Sequence, residues 1–205
     1  MSDGQSKGEQ TRQTIISRAL RMVSERGYEG LSIGALAQET ELSKSGLFAH
    51  FKSKEALQLG VLQEVINQFT LYVVQPALAA PRGEPRLRVL FEKKLEWIRG
   101  VEDRRGCLLN KASVEYDNRD GHSMRERLVQ ALKDWQEVIT RSTQAAIDEG
   151  HFRADLDAEQ FADEFEGIMA VYQQRQVLMR DRTAPERARA AFASLLERSR
   201  HSRPR

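Results

Sequence analysis

Two short helical segments, each introduced by a serine, occupy residues 32–54 and constrain the fold more than any other stretch of the chain. Ser32 and Ser43 are both placed to act as helix N-caps, because a serine hydroxyl accepts a hydrogen bond from an otherwise unpaired backbone N–H of the first turn. Each predicted helix has only about two turns, and helices this short do not persist in isolation. Leu42 lies in the tight turn between them. The pattern predicts a helix-turn-helix, whose second helix is free to enter the major groove of DNA.

Helical periodicity continues on both sides of this motif. Apolar residues recur at three- and four-residue spacing, and no useful length of chain alternates with a period of two. A first helix is predicted over residues 11–26, with Gly27 as its stop, and a fourth from its N-cap Ser53 to Pro76. Further helix starts are predicted where a capping side chain precedes Glu or Gln by three residues, at Ser123, Asp157 and Thr183. We predict an all-α protein of about nine helices and no strands.

Composition excludes several classes of protein. The chain has 205 residues, of which 40% are hydrophobic and 30% charged, as in ordinary globular proteins. No apolar run approaches the roughly 20 residues that cross a bilayer, and the N-terminal residues contain no apolar segment of the secretory type. We therefore expect a cytoplasmic protein without a membrane partner.

Charge and cysteine content narrow the possibilities further. The net charge of +2 is too small to attract nucleic acid over a broad surface, so DNA affinity has to come from a few placed cations. A single cysteine, Cys107, excludes a disulfide framework and a cysteine-cluster metal site. The four histidines are scattered and form no helical i,i+4 pair that favours zinc. We predict neither a metal site nor a cofactor.

A denser pattern surrounds the helix-turn-helix. Its positions share one register: Thr11-Arg12, Ile15, Ala19, Gly27-Tyr28, Leu31-Ser32, Ile33, Leu36-Ala37, Leu42-Ser43-Lys44-Ser45, Leu47-Phe48, His50-Phe51, Ser53-Lys54-Glu55 and Leu57. This stretch resembles the N-terminal DNA-binding domain of TetR-type transcriptional regulators. Two positions differ from the family pattern. Glu41 stands where glycine is common in the turn and would be strained in a left-handed backbone, and Phe48 stands where tyrosine is common in the recognition helix, without a hydroxyl for a phosphate contact.

The resemblance implies how the motif contacts DNA. In the family, base edges are read from the start of the recognition helix. The implied base-reading residues are Lys44, Ser45 and Gly46, the implied phosphate contacts are Ser32, Ser43, His50 and Lys54, and Phe48 would pack on a sugar or a thymine methyl. Lys44 suits the O6 and N7 acceptors of guanine. Alternatively, the two cap serines act as caps alone, Lys44 is a solvated lysine and His50 only packs.

The resemblance also implies an effector pocket among the middle helices. Its candidate residues are Trp97, Cys107, Asn110, Tyr116, Trp135 and Tyr172. Few obvious charges point inward, so the favoured effector is apolar or aromatic and of moderate size. Aromatic residues at helical spacing also form ordinary cores. Cys107 is either a small buried residue or a thiol sensor activated by Arg104 and Arg105.

The last two predicted helices carry apolar stripes. In TetR-type proteins the final two helices of two subunits pack into a four-helix bundle. The implied dimerisation residues are Phe161, Phe165, Ile168, Met169, Tyr172, Ala188, Phe192 and Leu195. Alternatively, these stripes close the core of a single chain. A two-fold dimer also suits a helix-turn-helix, because it places two recognition helices roughly 34–36 Å apart on DNA.

These patterns together predict a homodimeric transcriptional regulator rather than an enzyme. We expect a repressor that binds a palindromic double-stranded DNA operator and leaves it when a small-molecule effector binds. The predicted organisation is a flexible arm (1–10), a three-helix helix-turn-helix DNA-binding domain (11–53), a helical effector-binding and dimerisation domain (54–199) and a flexible tail (200–205).

Other functions stay open at this stage. One is a repressor that responds to electrophiles or oxidants through Cys107, and another is an activator or a ligand-independent DNA-binding regulator. A helical enzyme is disfavoured, because its nearest paired carboxylates, Glu115 and Asp117, lie two residues apart and point to different faces of a helix.

Overall fold

The computed structural model describes residues 7–100 and 107–200, which form ten α-helices and two π-helical turns and contain no strand. The α-helices are α1 (Lys7–Arg26), α2 (Ile33–Thr40), α3 (Lys44–His50), α4 (Lys54–Phe69), α5 (Gln75–Ala79), α6 (Glu84–Arg99), α7 (Leu108–Tyr116), α8 (Ser123–Asp148), α9 (Ala158–Gln173) and α10 (Ala184–Ser199), and the π turns are Thr70–Val74 and Gln174–Leu178. Each π turn continues an α-helix, so these residues form nine helical segments. The all-α prediction is confirmed.

The described residues divide into two compact units. Unit 1 consists of residues 7–67 and 108–130, and unit 2 of residues 68–100, 107 and 131–200. Unit 1 thus includes α7 and the first part of α8 as well as the helix-turn-helix. The predicted DNA-binding domain of residues 11–53 lies within unit 1, in which α7 is hydrogen-bonded to the backbone that follows α1. None of the helices in the described ranges has the length and apolar character that a membrane span requires.

Both predicted flexible ends contain ordered residues. Helix α1 begins at Lys7, so residues 7–10 of the predicted arm are helical, and residues 1–6 lie outside the described residues. Arg200, predicted to belong to the tail, ends α10. Its guanidinium donates two hydrogen bonds to the Glu84 carboxylate at 2.6 and 2.9 Å. Residues 201–205 lie outside the described residues.

Three serines cap the helices around the motif as predicted. The Ser32 hydroxyl accepts from Ala35 N at 3.4 Å, and the Ser43 hydroxyl accepts from Gly46 N at 3.0 Å. The Ser53 hydroxyl accepts from the N–H of the third residue after it, also at 3.0 Å. These bonds satisfy backbone donors that the first helical turn leaves unpaired.

The three further helix starts are confirmed, although only one uses the predicted cap. Asp157 accepts hydrogen bonds from two backbone N–H groups of α9 at 2.9 and 3.1 Å. The Ser123 hydroxyl donates to Glu55 instead of capping α8, and His122 Nδ1 accepts the bond from Met124 N. The Thr183 hydroxyl donates to Asp181 and accepts from the Arg187 side chain, so it caps no backbone N–H of α10.

Pro76 does not end the fourth helix, contrary to the prediction. A π turn at Thr70–Val74 follows α4, and α5 continues to Ala79 with the proline in its first turn. A proline inside a regular α-helix clashes with the carbonyl four residues earlier and removes a hydrogen bond. In the π turn immediately before Pro76, the N–H of Gln75 bonds to the carbonyl of Thr70, five residues earlier instead of four. The hydrogen-bond pattern at the proline is therefore not that of a regular α-helix. The helical segment therefore runs through the proline.

Each unit has its own apolar core. The core of unit 1 includes the buried apolar residues of α1, Leu36 of α2 and Leu47 of α3. In unit 2 the rings of Phe91 and Phe192 stack at a centroid distance of 3.9 Å. The Phe165 ring meets both of them edge-on at 5.6 Å. Helices α6, α9 and α10 are thereby joined by one aromatic cluster.

The turn before α3 generates a prediction about stability. Glu41 has φ 56° and ψ 21°, which is the left-handed backbone expected where the family has glycine. Glu41→Gly is expected to raise the free energy of unfolding by about 1 kcal/mol, because a side chain strains this conformation. Glu39→Gly is the matched control, since Glu39 is exposed within α2, and it is expected to lower the same quantity by about 1 kcal/mol. Chemical denaturation measures both changes, and the same sign for the two variants would contradict the strain at Glu41.

Candidate functional site

Helix α3 presents an exposed first turn above a buried residue. Lys44 and Ser45 are exposed, and the hydroxyls of Ser43 and Ser45 lie 2.9 Å apart. Leu47, on the opposite side, is 1% exposed and anchors the helix in the core of unit 1. The exposed turn is therefore held on a fixed base, and its side chains are available to a partner.

Phe48 is the unusual residue on this surface. Its ring is 46% exposed although it lies on a short helix next to a buried leucine. An exposed aromatic ring beside polar side chains suits stacking or packing against a nucleic acid sugar or base. Gly46 carries no side chain, and its N–H is used by the Ser43 cap.

The end of α3 is fixed to α1 by an arginine. The Arg12 guanidinium donates to the backbone carbonyl of His50 at 3.0 Å and lies 4.2 Å from the centroid of the Phe51 ring. Phe51 is 2% exposed. His50 thus contributes its carbonyl to the anchoring of α3, and its side chain is half-buried. The sequence pattern contained Arg12 but gave no indication of this contact.

Two lysines follow α3 and differ in their surroundings. The Lys54 ammonium donates to the carbonyl oxygen of Glu29 at 2.8 Å and lies 3.9 Å from the Glu29 carboxylate. Lys52 is exposed and has no hydrogen bond or ion pair within the described residues. Lys54, which was predicted to contact a phosphate, is thus paired with Glu29. Lys52, which was not among the predicted DNA contacts, is exposed and can contact a phosphate.

A carboxylate of α7 holds the backbone that follows α1. Glu115 Oε1 and Oε2 accept hydrogen bonds from the N–H groups of Tyr28 and Glu29 at 3.1 and 2.7 Å. Gly27 precedes these residues with φ 78°, and a Cβ there would lie 2.4 Å from Glu115 Oε1. The positive φ favours glycine at this position, and a side chain there would also displace the Glu115 carboxylate. The Glu115 carboxylate therefore holds the backbone that follows α1, whereas Asp117 is exposed.

A second carboxylate in unit 1 binds side chains of α7 and of the loop after it. Glu29 Oε1 accepts from the Tyr116 hydroxyl at 3.1 Å and from Arg119 at 2.7 Å. Burial tends to raise the pKa of Glu29, but the hydrogen bond from Tyr116 and the charges of Arg119 and Lys54 lower it overall. Burial, followed by the charge of Glu29, raises the pKa of Tyr116. The Glu29 carboxylate thus stays ionised at the junction of α1 and α7.

The six predicted effector-pocket residues fall into different units. Asn110 and Tyr116 belong to unit 1, where the Tyr116 ring meets the Tyr28 ring edge-on at 6.4 Å. The remaining four belong to unit 2 and are buried: Trp97, Cys107, Trp135 and Tyr172. The rings of Trp97 and Trp135 both pack edge-on against the ring of Phe69, at 5.5 and 5.0 Å. This tryptophan pair is the part of the predicted set that the structure brings together.

The cysteine of unit 2 is poorly placed for thiol chemistry. Cys107 is 1% exposed, and buried cysteines in apolar surroundings are inert. Arg104 and Arg105, predicted to activate it, lie outside the described residues. The environment of the sulfur therefore favours the alternative of a small core residue.

The predicted dimerisation residues lie mostly inside unit 2. Seven of them are at most 5% exposed within a single chain: Phe161, Phe165, Met169, Tyr172, Ala188, Phe192 and Leu195. Ile168 is half-buried and reaches a groove of about 550 Å³ along α9 and α10. Tyr172 and Ala188 of the predicted set also line this groove, together with positions outside the set such as Gly167, Val171 and Ala191. The stripe that the sequence showed packs the chain's own core, and the exposed face lies beside it.

An anchored helix-turn-helix with an exposed second helix, combined with a separate helical unit, defines a DNA-binding transcriptional regulator. Comparison with protein families identifies which kind. Residues 15–61 match the model of bacterial regulatory proteins of the tetR family. Residues 83–192 match the model of the tetracyclin repressor-like C-terminal domain. The chain belongs to the TetR family of transcriptional regulators.

Individual relatives agree with this family. The chain is 27% identical to the HTH-type transcriptional repressor DhaR of Mycobacterium sp. (strain GP1) over 154 residues, which cover 74% of this chain and 75% of DhaR. A TetR transcriptional regulator from Chloroflexus aurantiacus has a similar structure, with a TM-score of 0.81, 22% identity and coverage of 93% and 94% of the two chains. AibR in complex with isovaleryl coenzyme A and operator DNA has a TM-score of 0.64, 20% identity and coverage of 80% and 85%.

The two lysines after α3 generate a prediction about DNA binding. Lys52→Ala is expected to weaken binding to any duplex and to reduce the slope of log K against log salt concentration by about 0.9, the effect of one lost phosphate contact. Lys54→Ala is expected to leave the slope unchanged, because its ammonium is paired with Glu29. Fluorescence anisotropy with a labelled duplex at several salt concentrations measures both slopes. A reduced slope for Lys54→Ala with no change for Lys52→Ala would reverse the two roles.

Proposed function

We propose that this protein is a homodimeric repressor that binds a palindromic operator and releases it when a small molecule binds in unit 2. The observation that carries the proposal is the exposed and rigidly anchored first turn of α3. The similarity to DhaR, which is named a transcriptional repressor, supports repression rather than activation. The AibR complex with isovaleryl coenzyme A and operator DNA supports a response to a small organic ligand.

The first turn of α3 is proposed to contact the base edges. Lys44 is exposed at the first position of the helix, from which its ammonium reaches acceptors on a base edge in the major groove. Ser45 offers a hydroxyl next to it, and Gly46 allows close approach of the backbone. Phe48 contributes an exposed ring for a sugar or a thymine methyl. Lys52 supplies a phosphate contact at the end of the helix.

The groove along α9 and α10 is the proposed dimer interface. Its lining combines small and apolar residues, including Gly167, Val171 and Ala191, with charged residues such as Glu164 and Arg187. Protein interfaces combine apolar and polar groups in this way. A two-fold arrangement of this face would present two copies of α3 to successive major grooves of DNA.

The effector is proposed to act through the helical segment that joins the units. Residues 54–67 of this segment belong to unit 1 and residues 68–79 to unit 2. A ligand that binds unit 2 and favours a different tilt of this segment would disfavour the DNA-bound state. A coupling free energy of about 1–3 kcal/mol is sufficient for a 5- to 150-fold loss of operator affinity.

Selection of bound sequences from random DNA tests the proposed function. The wild type is expected to enrich a palindrome, because two identical helices read two half-sites. Lys44→Ala is expected to lose about 1–3 kcal/mol of binding free energy on that palindrome and to relax the preference at one base pair of each half-site. Lys52→Ala is the control, since a lost phosphate contact weakens all sequences alike. Enrichment of an asymmetric sequence, or an unchanged preference in Lys44→Ala, would contradict the proposed reading.

The dimer interface has its own test. Ala191→Glu places a larger, charged side chain in the groove of α9 and α10, and both the desolvation of a charge and the loss of close packing are unfavourable at an interface. We expect this variant to sediment as a monomer and to lose affinity for the palindrome. Ala190→Glu is the matched control, because Ala190 is exposed next to it and does not line the groove. If both variants sediment as dimers, the interface lies elsewhere.

A further inference from the structure

The core of unit 2 contains a cation. Among the charged side chains of residues 7–100 and 107–200, Lys94 of α6 alone is buried, with 5% of its surface exposed. It lies on the inner face of α6, between the buried residues Phe91 and Ile98. Lysine is almost never buried to this extent without a charged partner, so the position calls for an explanation.

Two aromatic rings enclose the ammonium group. The Lys94 Nζ atom is 4.7 Å from the centroid of the Phe69 ring and 4.8 Å from that of the Trp135 ring. These two rings meet edge-on at 5.0 Å. The faces of aromatic rings attract a cation, and the attraction is stronger where water is excluded. The rings carry no formal charge, so the positive charge of Lys94 stays uncompensated by them.

Two carboxylates of unit 2 that contact aromatic side chains are hydrogen-bonded to groups other than Lys94. Glu166 accepts a hydrogen bond from Trp135 Nε1 at 2.7 Å and forms no ion pair with Lys94. Glu96 is bound by Lys93 at 2.8 Å and by Tyr72 at 2.9 Å. Within the described residues, Lys94 has neither an ion pair nor a hydrogen bond. A buried charge without a counter-ion is destabilising, and residues 7–100 and 107–200 do not supply a counter-ion for Lys94.

The local backbone is also unusual. The π turn Thr70–Val74 begins immediately after Phe69, one of the two rings that enclose Lys94. π turns inside longer helices are rare and occur frequently at functional sites. Lys94 does not line three of the cavities of unit 2, and its ammonium lies against the rings of Phe69 and Trp135, so a ligand that pairs with it would have to displace at least one of these rings. A ligand that enters here therefore changes the surroundings of Trp135.

We propose that Lys94 is the anchor for an anionic effector, a small organic acid with an apolar or aromatic body. The carboxylate of the acid pairs with the Lys94 ammonium, and its body packs against the rings of Phe69 and Trp135. This inference rests on the proposed function, because it names the class of ligand to which the regulator responds. It also changes the expectation from the sequence, in which few inward charges were apparent and an apolar or aromatic effector of moderate size was favoured.

Matched acids and amides provide the test, with no DNA present. Phenylacetate and hexanoate are titrated into the full-length protein, in parallel with phenylacetamide and hexanamide, and tryptophan fluorescence is recorded. At least one acid is expected to bind the wild type about tenfold more tightly than its amide, which corresponds to about 1.4 kcal/mol. Lys94→Met keeps the length of the side chain and removes the charge, and it is expected to abolish the preference. Lys133→Met is the control, because Lys133 is exposed on α8, and the preference is expected to persist.

Several results would overturn the inference. Equal affinity of the wild type for each acid and its amide would reject the anion site. The absence of binding of either acid up to its solubility limit would also reject it. Neither result depends on a variant. A preference that persists in Lys94→Met rejects it as well. The unfolding midpoint of Lys94→Met is expected to be no lower than that of the wild type, since an uncompensated buried charge has been removed. A large fall would mean that the fold already compensates Lys94, contrary to the inference.

Operator release separates this inference from the proposed function. The acids and amides are added to the complex with the selected palindrome, and dissociation is followed by anisotropy. Acid binding through Lys94 without release means that the site exists and that ligand-controlled repression fails. Release by the acid and its amide at equal concentrations means that ligand-controlled repression holds and that Lys94 is not its anchor.

Discussion

The recognition helix depends on contacts that it cannot supply itself. Helix α3 has seven residues, and a helix of this length is unstable alone because nucleation costs more than its few hydrogen bonds return. The Ser43 cap satisfies one donor of its first turn, and Leu47 fixes its inner face in the core of unit 1. Arg12 holds the other end through the carbonyl of His50. The exposed side chains keep a defined geometry only because these three contacts act together.

The unit that carries this helix is larger than a helix-turn-helix. Glu115 of α7 binds two backbone N–H groups just after α1, and Glu29 in turn binds Tyr116 and Arg119. Both carboxylates are satisfied within unit 1, so each contact is stabilising rather than a buried unpaired charge. Helix α7 is therefore part of the DNA-binding unit. Displacement of α7 would disturb the backbone on which the motif is built.

Unit 2 contains two aromatic clusters with different characters. The rings of Phe91, Phe165 and Phe192 join three helices and contain no polar group. The rings of Phe69 and Trp135 enclose the ammonium of Lys94. The first cluster contributes stability through burial of apolar surface. The second cluster encloses a charged group, which lowers stability. A group that conflicts with core packing in this way is usual at functional sites.

Several features of the fold could be predicted from residues that are close together in the chain. The caps at Ser32, Ser43 and Ser53 and the helix starts follow from local residues, because capping acts over one helical turn, whereas the left-handed turn at Glu41 was suggested only by the family resemblance. Tertiary structure alone decided the features that join distant residues. Glu115 meets Tyr28 across 87 positions, Lys54 is occupied by Glu29, and the stripes of α9 and α10 face their own core. No periodicity distinguishes an inner face from a dimer face, or a solvated lysine from Lys94 between two rings, since both depend on what the fold places opposite the side chain.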